Sequence, residues 1–398
     1  MELAAKETCT GCGACAYVCP KKCITFELDE TFGISYPVID DSLCIDCGRC
    51  RTYCPVLNPL ECAEPMQAYA AWSSDAEERR TSASGGIAAE IYKYAIASGW
   101  LIVGAAFGEN FEVRLKLADN AEAIKDFKNS KYVFSTIANV YHDLDEKLKT
   151  GCKIAIIALP CQIAAFKKVF HKYKDNLLLV DLVCHGTTPQ SYLIQHVQCI
   201  EKKCGEMASY MSFRDPVFST DTFTFSLYNA EGHRFYSKRT KDGDGYQVGY
   251  HRMISYRENC YHCPFAKEQR ISDLTISDYK GLGALAPTQI IDNRNISNVL
   301  VFTEKGRSII KNIKKTGTII AEERPVKEPI QGDGQLRHPA KKAIERKIFE
   351  RRILSCHGDF ERAISSVVFY VFGREYLNKV MNAPKKMIRK MLYYFKRA

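Results

Sequence analysis

Two dense runs of cysteine near the start of the chain are the residues whose type and spacing most directly indicate chemistry. In the first run the cysteines are separated by two, two and three residues and a proline follows the last one; a second run repeats this spacing. Three closely spaced thiolates can bind one face of an iron–sulfur cubane, and the fourth then binds the neighbouring cluster. The runs therefore predict two four-iron four-sulfur clusters. The predicted ligands are Cys9, Cys12, Cys15 and Cys54 for one cluster, and Cys44, Cys47, Cys50 and Cys19 for the other.

Zinc is the alternative metal for cysteines at these spacings. Structural zinc sites use four ligands, commonly in paired Cys-x2-Cys knuckles. They do not require three cysteines at x2 spacing followed by x3-Cys-Pro, which occurs here twice, so the pattern favours iron–sulfur clusters. Cys23 falls outside the repeated spacing and is interpreted as a plain thiol.

Four cysteines later in the chain form a second candidate site. Cys161 and Cys184 each follow a nearly continuous apolar segment that is interpreted as a buried strand. Open α/β sheets bind ligands beyond the carboxyl ends of their strands, so both cysteines are candidate ligands. Cys260 and Cys263 have x2 spacing before a proline, which fits a third cluster, a zinc knuckle or a dithiol. The remaining cysteines have no ligand spacing and are interpreted as structural: Cys23, Cys62, Cys152, Cys199, Cys204 and Cys356.

The elements that must position these residues are predicted from hydrophobic periodicity. Apolar segments alternate with amphipathic ones beyond residue 66, which indicates a sheet covered by helices on both faces. The predicted strands are 67–72, 100–108, 153–158, 177–183 and 317–323, the predicted helices lie within 79–99, 121–130 and 162–173, and a strand followed by a helix is predicted within 298–315. Strict alternation around turn residues predicts hairpins at 23–40 and 222–239.

Composition bounds the class of protein. A chain of 398 residues is long enough for two or three domains. Its first residues lack the apolar run of a secretory signal, and no stretch approaches about 18 uninterrupted apolar residues. Eighteen cysteines in such a chain are expected to be metal ligands rather than a disulfide scaffold. We expect a cytoplasmic protein, and there is no signature of a nucleic-acid-binding fold.

The net charge of +10 is concentrated at the end of the chain. Residues 335–398 carry sixteen Lys or Arg against five Asp or Glu, whereas residues 1–60 carry five against eight. On a helix, the last residues place an apolar face opposite a basic one. The apolar face has Met387, Ile388, Met391, Leu392 and Phe395, and the basic residues are Lys385, Lys386, Arg389 and Lys396. Such a helix either contacts a partner or the inner face of the membrane, or packs on its own body.

Six further motifs follow the cysteine-rich head in a fixed order. They are SASGG (82–86), SKYVFS (130–135), LPCQIAAF (159–166), DLVCHGT (181–187), CYHCPFA (260–266) and RISDLTISDYKGLG (270–283). Together they resemble the family of coenzyme F420 hydrogenase/dehydrogenase beta subunits, in the version with a fused N-terminal ferredoxin domain that binds two 4Fe-4S clusters. The resemblance covers about residues 5–320. The family's late motif usually has Gly-Asp, an aromatic residue and Gly, whereas this chain has Ser277 and an inserted Lys280.

The resemblance implies an iron–sulfur flavoprotein that binds FAD. The implied FAD contacts are Ser84, Gly85, Gly86, Ser130, Lys131 and Tyr132. The resemblance also favours Cys161, Cys184, Cys260 and Cys263 as ligands of a third 4Fe-4S cluster in the body. Lys131 and His185 are the catalytic candidates, because a lysine can stabilise negative charge on a reduced flavin and a histidine can exchange protons near neutral pH. The alternatives are a surface lysine and a histidine that only satisfies a backbone group.

These inferences define an α/β protein, α+β overall, with four segments. Residues 1–58 form a small bacterial-ferredoxin-like head, 59–66 a linker, 67–334 an α/β flavin-binding body and 335–398 a basic helical C-terminal tail. The predicted function is electron transport by an FAD-dependent oxidoreductase, between a ferredoxin-type carrier or redox partner protein and a small organic substrate such as coenzyme F420. The alternatives are a non-catalytic electron-transfer adapter within a larger redox complex and a zinc-rich interaction module.

Overall fold

The structure is a computed structural model that describes residues 3–137, 140–290, 292 and 294–395, with side chains up to residue 378. Its strands are β1 (Ile24–Asp29), β2 (Ile34–Ile39), β3 (Gln67–Ser73), β4 (Leu101–Phe107), β5 (Val113–Ala118), β6 (Ile154–Ala158), β7 (Leu177–Leu182), β8 (Tyr210–Ser212), β9 (Thr224–Tyr228), β10 (Arg234–Arg239), β11 (Leu274–Asp278), β12 (Ser297–Val301) and β13 (Ile319–Arg324). Its α-helices are α1 (Ala14–Val18), α2 (Arg49–Thr52), α3 (Ala76–Thr81), α4 (Ile87–Ala97), α5 (Ala123–Phe127), α6 (Val140–Lys149), α7 (Pro160–Val169), α8 (Gln190–Cys204), α9 (Gly245–His251), α10 (Glu304–Lys315), α11 (Lys327–Gly332), α12 (Ile344–Ser355) and α13 (Phe360–Phe395).

The head is built from two similar halves around a hairpin. Strands β1 and β2 pair antiparallel, which confirms the predicted hairpin. Each cysteine run contains a short helix, and the residue before each helix is a glycine in the left-handed region: Gly13 has φ 76° and Gly48 has φ 73°. The repeated spacing of the sequence therefore corresponds to a repeated backbone conformation.

The body is organised around an eight-stranded mixed sheet. The strand order is β13-β3-β12-β11-β7-β6-β4-β5. The four strands β11, β7, β6 and β4 pair parallel to one another, while the remaining pairs are antiparallel. All five residues of β6 are buried, as expected for a central strand covered on both faces. This confirms the predicted α/β class, and β5 and β11 are strands that periodicity did not predict.

Helices cover the two faces of this sheet with separate apolar cores. Ile91 of α4 and Ile310 of α10 belong to the core on one face. Leu144 of α6 and Ile163 of α7 belong to the core on the other face, and this second core also contains Cys12 and Ala14 of the head. The head is therefore packed against one face of the body.

A third core joins the small sheet β10-β9-β8 to the C-terminal helices. Phe349 of α12 and Phe360 of α13 are fully buried there. The Phe360 ring stacks on Tyr192 of α8 with 4.7 Å between ring centroids. Helix α12 and the first turns of α13 bury side chains in this core. The first part of the predicted basic tail therefore packs as part of the body.

Helix α13 extends to Phe395, so a helix is present where the amphipathic segment is predicted. The apolar and basic side chains predicted to face opposite ways at residues 385–396 lie outside the side chains that the structure describes. Among the described residues, no helix is long and apolar enough to cross a membrane.

Truncation of Phe360 tests whether α13 is part of the body. Phe360→Ala is expected to lower the free energy of unfolding by about 3–5 kcal/mol, because a fully buried ring leaves a cavity when it is removed. Phe369, which is 82% exposed on the same helix, provides the matched control, and Phe369→Ala should change stability by less than about 0.5 kcal/mol. Anaerobic chemical denaturation measures both values. Equal effects would contradict the packing of α13 on α8.

Candidate functional site

One cavity of about 390 Å³ is lined by residues from five of the six motifs. The predicted flavin contacts Ser84, Gly86, Ser130, Lys131 and Tyr132 line it, and so does the catalytic candidate His185. These residues come from the loop before α4, the segment after α5 and the segment after β7. The carboxyl ends of parallel strands meet at one edge of an open sheet, and this shared edge explains why such distant segments share one cavity.

Gly85 is the predicted flavin contact that does not line this cavity. Its backbone N–H donates to the Ser297 hydroxyl at 2.9 Å. A Cβ at this position would lie 2.5 Å from the Ala71 carbonyl oxygen and 2.7 Å from the Ser297 nitrogen. Gly85 is therefore required by the close approach of its loop to β3 and β12, which fixes the start of α4 at the cavity.

Aromatic side chains form a wall of the cavity. The Tyr132 ring stacks on Tyr250 with 4.4 Å between centroids, and the imidazole of His251 lies edge-on to Tyr132 at 5.3 Å. Burial lowers the pKa of His251 to about 4, and the nearby Arg214 guanidinium lowers it further, so His251 is neutral at physiological pH. Its Nε2 atom is buried without a hydrogen-bond partner among the described residues.

Lys131 lies in a desolvated position beside this wall. Burial lowers the pKa of Lys131 to about 7, against the opposing effect of Asp126. Its Nζ atom donates to the Lys128 carbonyl oxygen at 3.1 Å and lies 5.3 Å from the centroid of the Phe107 ring. Near neutral pH this amine can hold or release a proton.

His185 belongs to a polar group at another side of the cavity. Its Nε2 atom lies 3.2 Å from Lys280 Nζ and 3.6 Å from an Asp333 carboxylate oxygen. Lys280 Nζ also lies 3.0 Å from Asp333. Burial alone would raise the pKa of Asp333, but His185 and Lys280 outweigh burial and hold it below its ordinary value. Lys280, the residue inserted into the late motif, therefore contacts His185 directly.

Arg214 lines the cavity, although none of the sequence motifs includes it. It is 5% exposed, and its NH1 atom donates to the Asp278 carboxylate at 2.9 Å. The guanidinium also lies 4.6 Å from the centroid of Phe223. Arg214 and Asp278 come from chain segments 64 residues apart, so only the folded sheet brings them together.

The four cysteines of the body are brought together in one group. Burial raises the pKa of the Cys161 thiol well above its ordinary value, and Cys263, Cys184 and Cys260 raise it further. Burial likewise raises the pKa of Cys263 to about 11, with a further contribution from Cys260. Cys184 also lines the cavity, so the cysteine group and the cavity share a wall.

A buried arginine faces this cysteine group. Arg270 is 3% exposed, and its Nε and NH2 atoms have no hydrogen-bond partner among the described residues. Its charge opposes the effect of burial on the pKa of both Cys184 and Cys263. Two unsatisfied donors beside four half-buried cysteines fit an anionic group in this position, as an iron–sulfur cluster with four thiolates would be.

The head cysteines also separate into two groups. The pKa of Cys12 is raised to about 11, mainly by burial and in smaller part by Cys54 and Cys9, against the hydrogen bonds from Ala14 and Thr10 that lower it. Burial similarly raises the pKa of Cys15 above its ordinary value, and Cys12, Cys9 and Cys54 add to it. Because these cysteines raise one another's pKa, they lie close together in the structure. They are the members of the first predicted ligand set, Cys9, Cys12, Cys15 and Cys54.

The second head group contains one cysteine more than predicted. Cys19, Cys44, Cys47 and Cys50 line one hollow, as the second ligand set requires, and Cys23 lines it too. The Cys23 and Cys19 sulfur atoms lie 3.4 Å apart. Cys23, which the spacing leaves outside the ligand sets, therefore lies against a predicted ligand. Within the described residues, no three His, Cys, Asp or Glu side chains are arranged around a point suited to a single metal ion.

Two parts of the chain match known family models. Residues 151–327 match the family model described as the C terminus of the beta subunit in coenzyme F420 hydrogenase/dehydrogenase. Residues 8–58 match the 4Fe-4S dicluster domain. The first match covers the cysteines and cavity residues from β6 to β13, and the second covers both cysteine runs of the head.

Two curated relatives and one solved structure are similar to this chain. The F subunit of F(420)H(2) dehydrogenase from Methanosarcina mazei is 23% identical over 273 residues, which cover 66% of this chain and 73% of the relative. The coenzyme F420-dependent sulfite reductase of Methanocaldococcus jannaschii is 28% identical over 178 residues; the match covers 42% of this chain but only 26% of that enzyme. A chain of the F420-reducing [NiFe] hydrogenase complex from Methanosarcina barkeri has 16% identity and a TM-score of 0.43, with 77% of this chain and 92% of that chain covered.

The low pKa of Lys131 predicts a pH-dependent contribution to stability. Between about pH 7 and the ordinary value of 10.5 the unfolded chain holds the Lys131 proton while the folded chain has released it. The unfolded state then binds more protons, so stability relative to a Lys131→Met variant should rise with pH across this window and stay constant below it. Urea denaturation at several pH values between 6 and 10 measures the difference.

The exposed lysine of α5 supplies the control for this prediction. Lys125→Met should change stability by less than about 0.5 kcal/mol at neutral pH. If the free energy of unfolding differs between wild type and Lys131→Met by the same amount at all pH values, this result would contradict the lowered pKa of Lys131.

Proposed function

We propose that this chain is an FAD-dependent oxidoreductase. Its residues 151–327 belong to the family of coenzyme F420 hydrogenase/dehydrogenase beta subunits, and its residues 8–58 form a 4Fe-4S dicluster domain. Its iron–sulfur redox character follows from the two matches. What we propose beyond these matches is the binding of FAD, a third cluster in the body and an organic substrate. Electrons would pass between a redox partner protein and a two-electron organic substrate, either coenzyme F420, as the names of the relatives suggest, or another molecule.

The observation that carries this proposal is the wall shared by the cavity and the body cysteines. Cys184 belongs to the group of four thiols, and the next residues, His185, Gly186 and Thr187, continue along the cavity. One short segment therefore lines both a cavity suited to an organic cofactor and a site suited to an iron–sulfur cluster. This adjacency supports an electron-transferring enzyme more directly than either feature alone.

The cavity residues fit the flavin that the family resemblance implies. The aromatic wall of Tyr132 and Tyr250 is suited to a flat ring system, and Ser84 and Gly86 lie where α4 begins. Bound FAD would supply the exchange between two-electron hydride chemistry and one-electron transfer. The first helical turn presents backbone N–H groups and the positive end of the helix dipole, which suit a phosphate group.

The chain's own residues then have separate roles in the cavity. Lys131 can place a positive charge beside the aromatic wall when it is protonated, and its pKa of about 7 makes this charge dependent on pH near neutrality. His185 Nε2 accepts a hydrogen bond from Lys280 when the imidazole is neutral, which leaves its proton on Nδ1. When His185 is protonated, Asp333 is the facing carboxylate. These contacts support His185 as the residue that exchanges a proton.

Cys161, Cys184, Cys260 and Cys263 are the residues that would hold the third cluster. Arg270 supports this assignment: its NH1 atom lies 3.6 Å from the buried Asp181 carboxylate, while its Nε and NH2 donors are left for a second anionic group. In the head, the matched dicluster domain would use the two cysteine groups already described. The exposed Cys47 marks the second group as the one nearer to an external redox partner.

Cofactor content after anaerobic purification tests the proposed function. We expect about twelve iron atoms, a matching amount of sulfide and one FAD per chain, which corresponds to three cubane clusters. The purified protein should also transfer electrons from a hydride donor to an artificial dye. Cys184→Ser should remove about four iron atoms, while Cys199→Ser, at a part-exposed cysteine of α8, should leave the iron content unchanged.

The other results distinguish the alternatives. About eight iron atoms together with FAD would retain the flavoenzyme and remove the third cluster. About eight iron atoms and no flavin after reconstitution with FAD would overturn the enzyme and favour an electron-transfer adapter. Zinc in place of iron would overturn the redox function altogether.

A further inference from the structure

We propose that Arg257 is the junction residue between the head and the body: it holds the first head cysteine group against the body cysteine group and raises the reduction potential of both. Arg257 lies three residues before the first cysteine of the CYHCPFA motif and is 3% exposed. The inference rests on the proposed function, because it assumes clusters at both cysteine groups. Neither the motifs nor the matched families identify this residue.

Arg257 contacts the head between two of its predicted ligands. Its NH1 atom donates to the Thr10 carbonyl oxygen at 3.0 Å, and Thr10 is the residue after Cys9. A Cβ on Gly11 would lie 2.7 Å from Arg257 NH2, so the absence of a side chain at Gly11 makes room for the guanidinium. The guanidinium is thus inserted into the first cysteine loop of the head.

The same residue is fixed to the body from three directions. Its backbone N–H donates to the Thr187 carbonyl oxygen at 2.8 Å, and its own carbonyl accepts from the backbone N–H of Cys260 at 3.0 Å. Its guanidinium lies 3.9 Å from the centroid of the Phe134 ring. Thr187 follows the Cys184 segment along the cavity, so Arg257 is joined to the loops that carry two of the four body cysteines.

The charge of Arg257 acts on one cysteine of each group. It opposes the effect of burial on the pKa of Cys9 in the head and on the pKa of Cys161 in the body. Arg257 is not among the residues that line the hollow of the second head group. The contact with Thr10 beside Cys9 and the backbone contacts with Thr187 and Cys260 place one buried positive charge between two of the three cysteine groups, and these contacts are the geometric basis of the inference.

A positive charge in this position favours the reduced form of both clusters. Reduction adds one electron and makes each cluster more negative, while no covalent bond forms or breaks. Net charge and hydrogen bonds near the sulfur atoms set the reduction potential of iron–sulfur clusters, and electrostatic effects are larger away from water. By acting on both groups, Arg257 would raise both potentials in the same direction, so it would not oppose the passage of one electron between them.

The test is a redox titration of the holoprotein monitored by electron paramagnetic resonance. In Arg257→Gln, two of the three midpoint potentials should fall and the third should not change, because the second head group lies away from Arg257. Arg257→Lys keeps the charge and should leave all three potentials near those of wild type. Iron content is measured for each variant, so that a loss of clusters is not confused with a shift in potential.

Arg79 provides a matched control, since it also combines an aromatic ring with backbone contacts. Its guanidinium lies 4.9 Å from the Trp72 ring and donates to the Arg294 carbonyl oxygen at 2.8 Å, away from the cysteine groups. Arg79→Gln should leave every potential unchanged. Potentials that do not move in Arg257→Gln, or that move equally in all clusters, would overturn the inference, as would a large shift in Arg257→Lys.

Failure of the proposed function gives a different result. If wild type contains only about eight iron atoms, the third cluster is absent, and no electron path can run through Arg257 to a body cluster. That result would overturn the junction, whatever the effect of Arg257→Gln on the head. Twelve iron atoms with unchanged potentials would instead keep the proposed function and overturn only the role of Arg257.

Discussion

The docking of the head on the body is the constraint on which the rest of the structure depends. Cys12 is buried in the core formed with α6 and α7, and its carbonyl oxygen accepts a hydrogen bond from Tyr141 at 2.9 Å. The Tyr17 ring stacks on Tyr141 at 4.9 Å. These contacts hold the first cysteine loop as rigidly as any core residue, because a packed interior allows few alternative arrangements. The spacing between the head and body cysteines is therefore part of the fold.

Buried thiol groups of this number require compensating charge, and the structure supplies it from the body. Burial raises the pKa of thiols in both the first head group and the body group, which disfavours the thiolate that binds iron. Arg257 and Arg270 act in the opposite direction on the cysteines near them. Both arginines are 3% exposed; the Asp181 carboxylate lies 3.6 Å from Arg270, and an anionic cluster would offset the cost of burying Arg257. The cysteines and the arginines are best understood as one electrostatic unit.

The sequence predicted those parts of the site that are fixed by local pattern. Cys161 and Cys184 were expected at one edge because each follows a buried parallel strand, and the sheet brings them together as expected. Arg214 and His251 were missed, since they reach the cavity only when the small sheet and α9 fold over the large sheet. The position of Arg257 between the head and the body could not be predicted from the sequence, because it depends on a contact with Thr10, which is 247 residues away.

The charges around the cavity restrict what it can bind. Arg214 is paired with Asp278 at 2.9 Å, and Lys280 is paired with Asp333 at 3.0 Å. An anionic group that approached either cation would have to compete with a carboxylate already in place, which costs free energy. The aromatic wall of Tyr132 and Tyr250 carries no such cost for a flat, weakly charged ring. Binding in this cavity should therefore depend first on the shape of the ring.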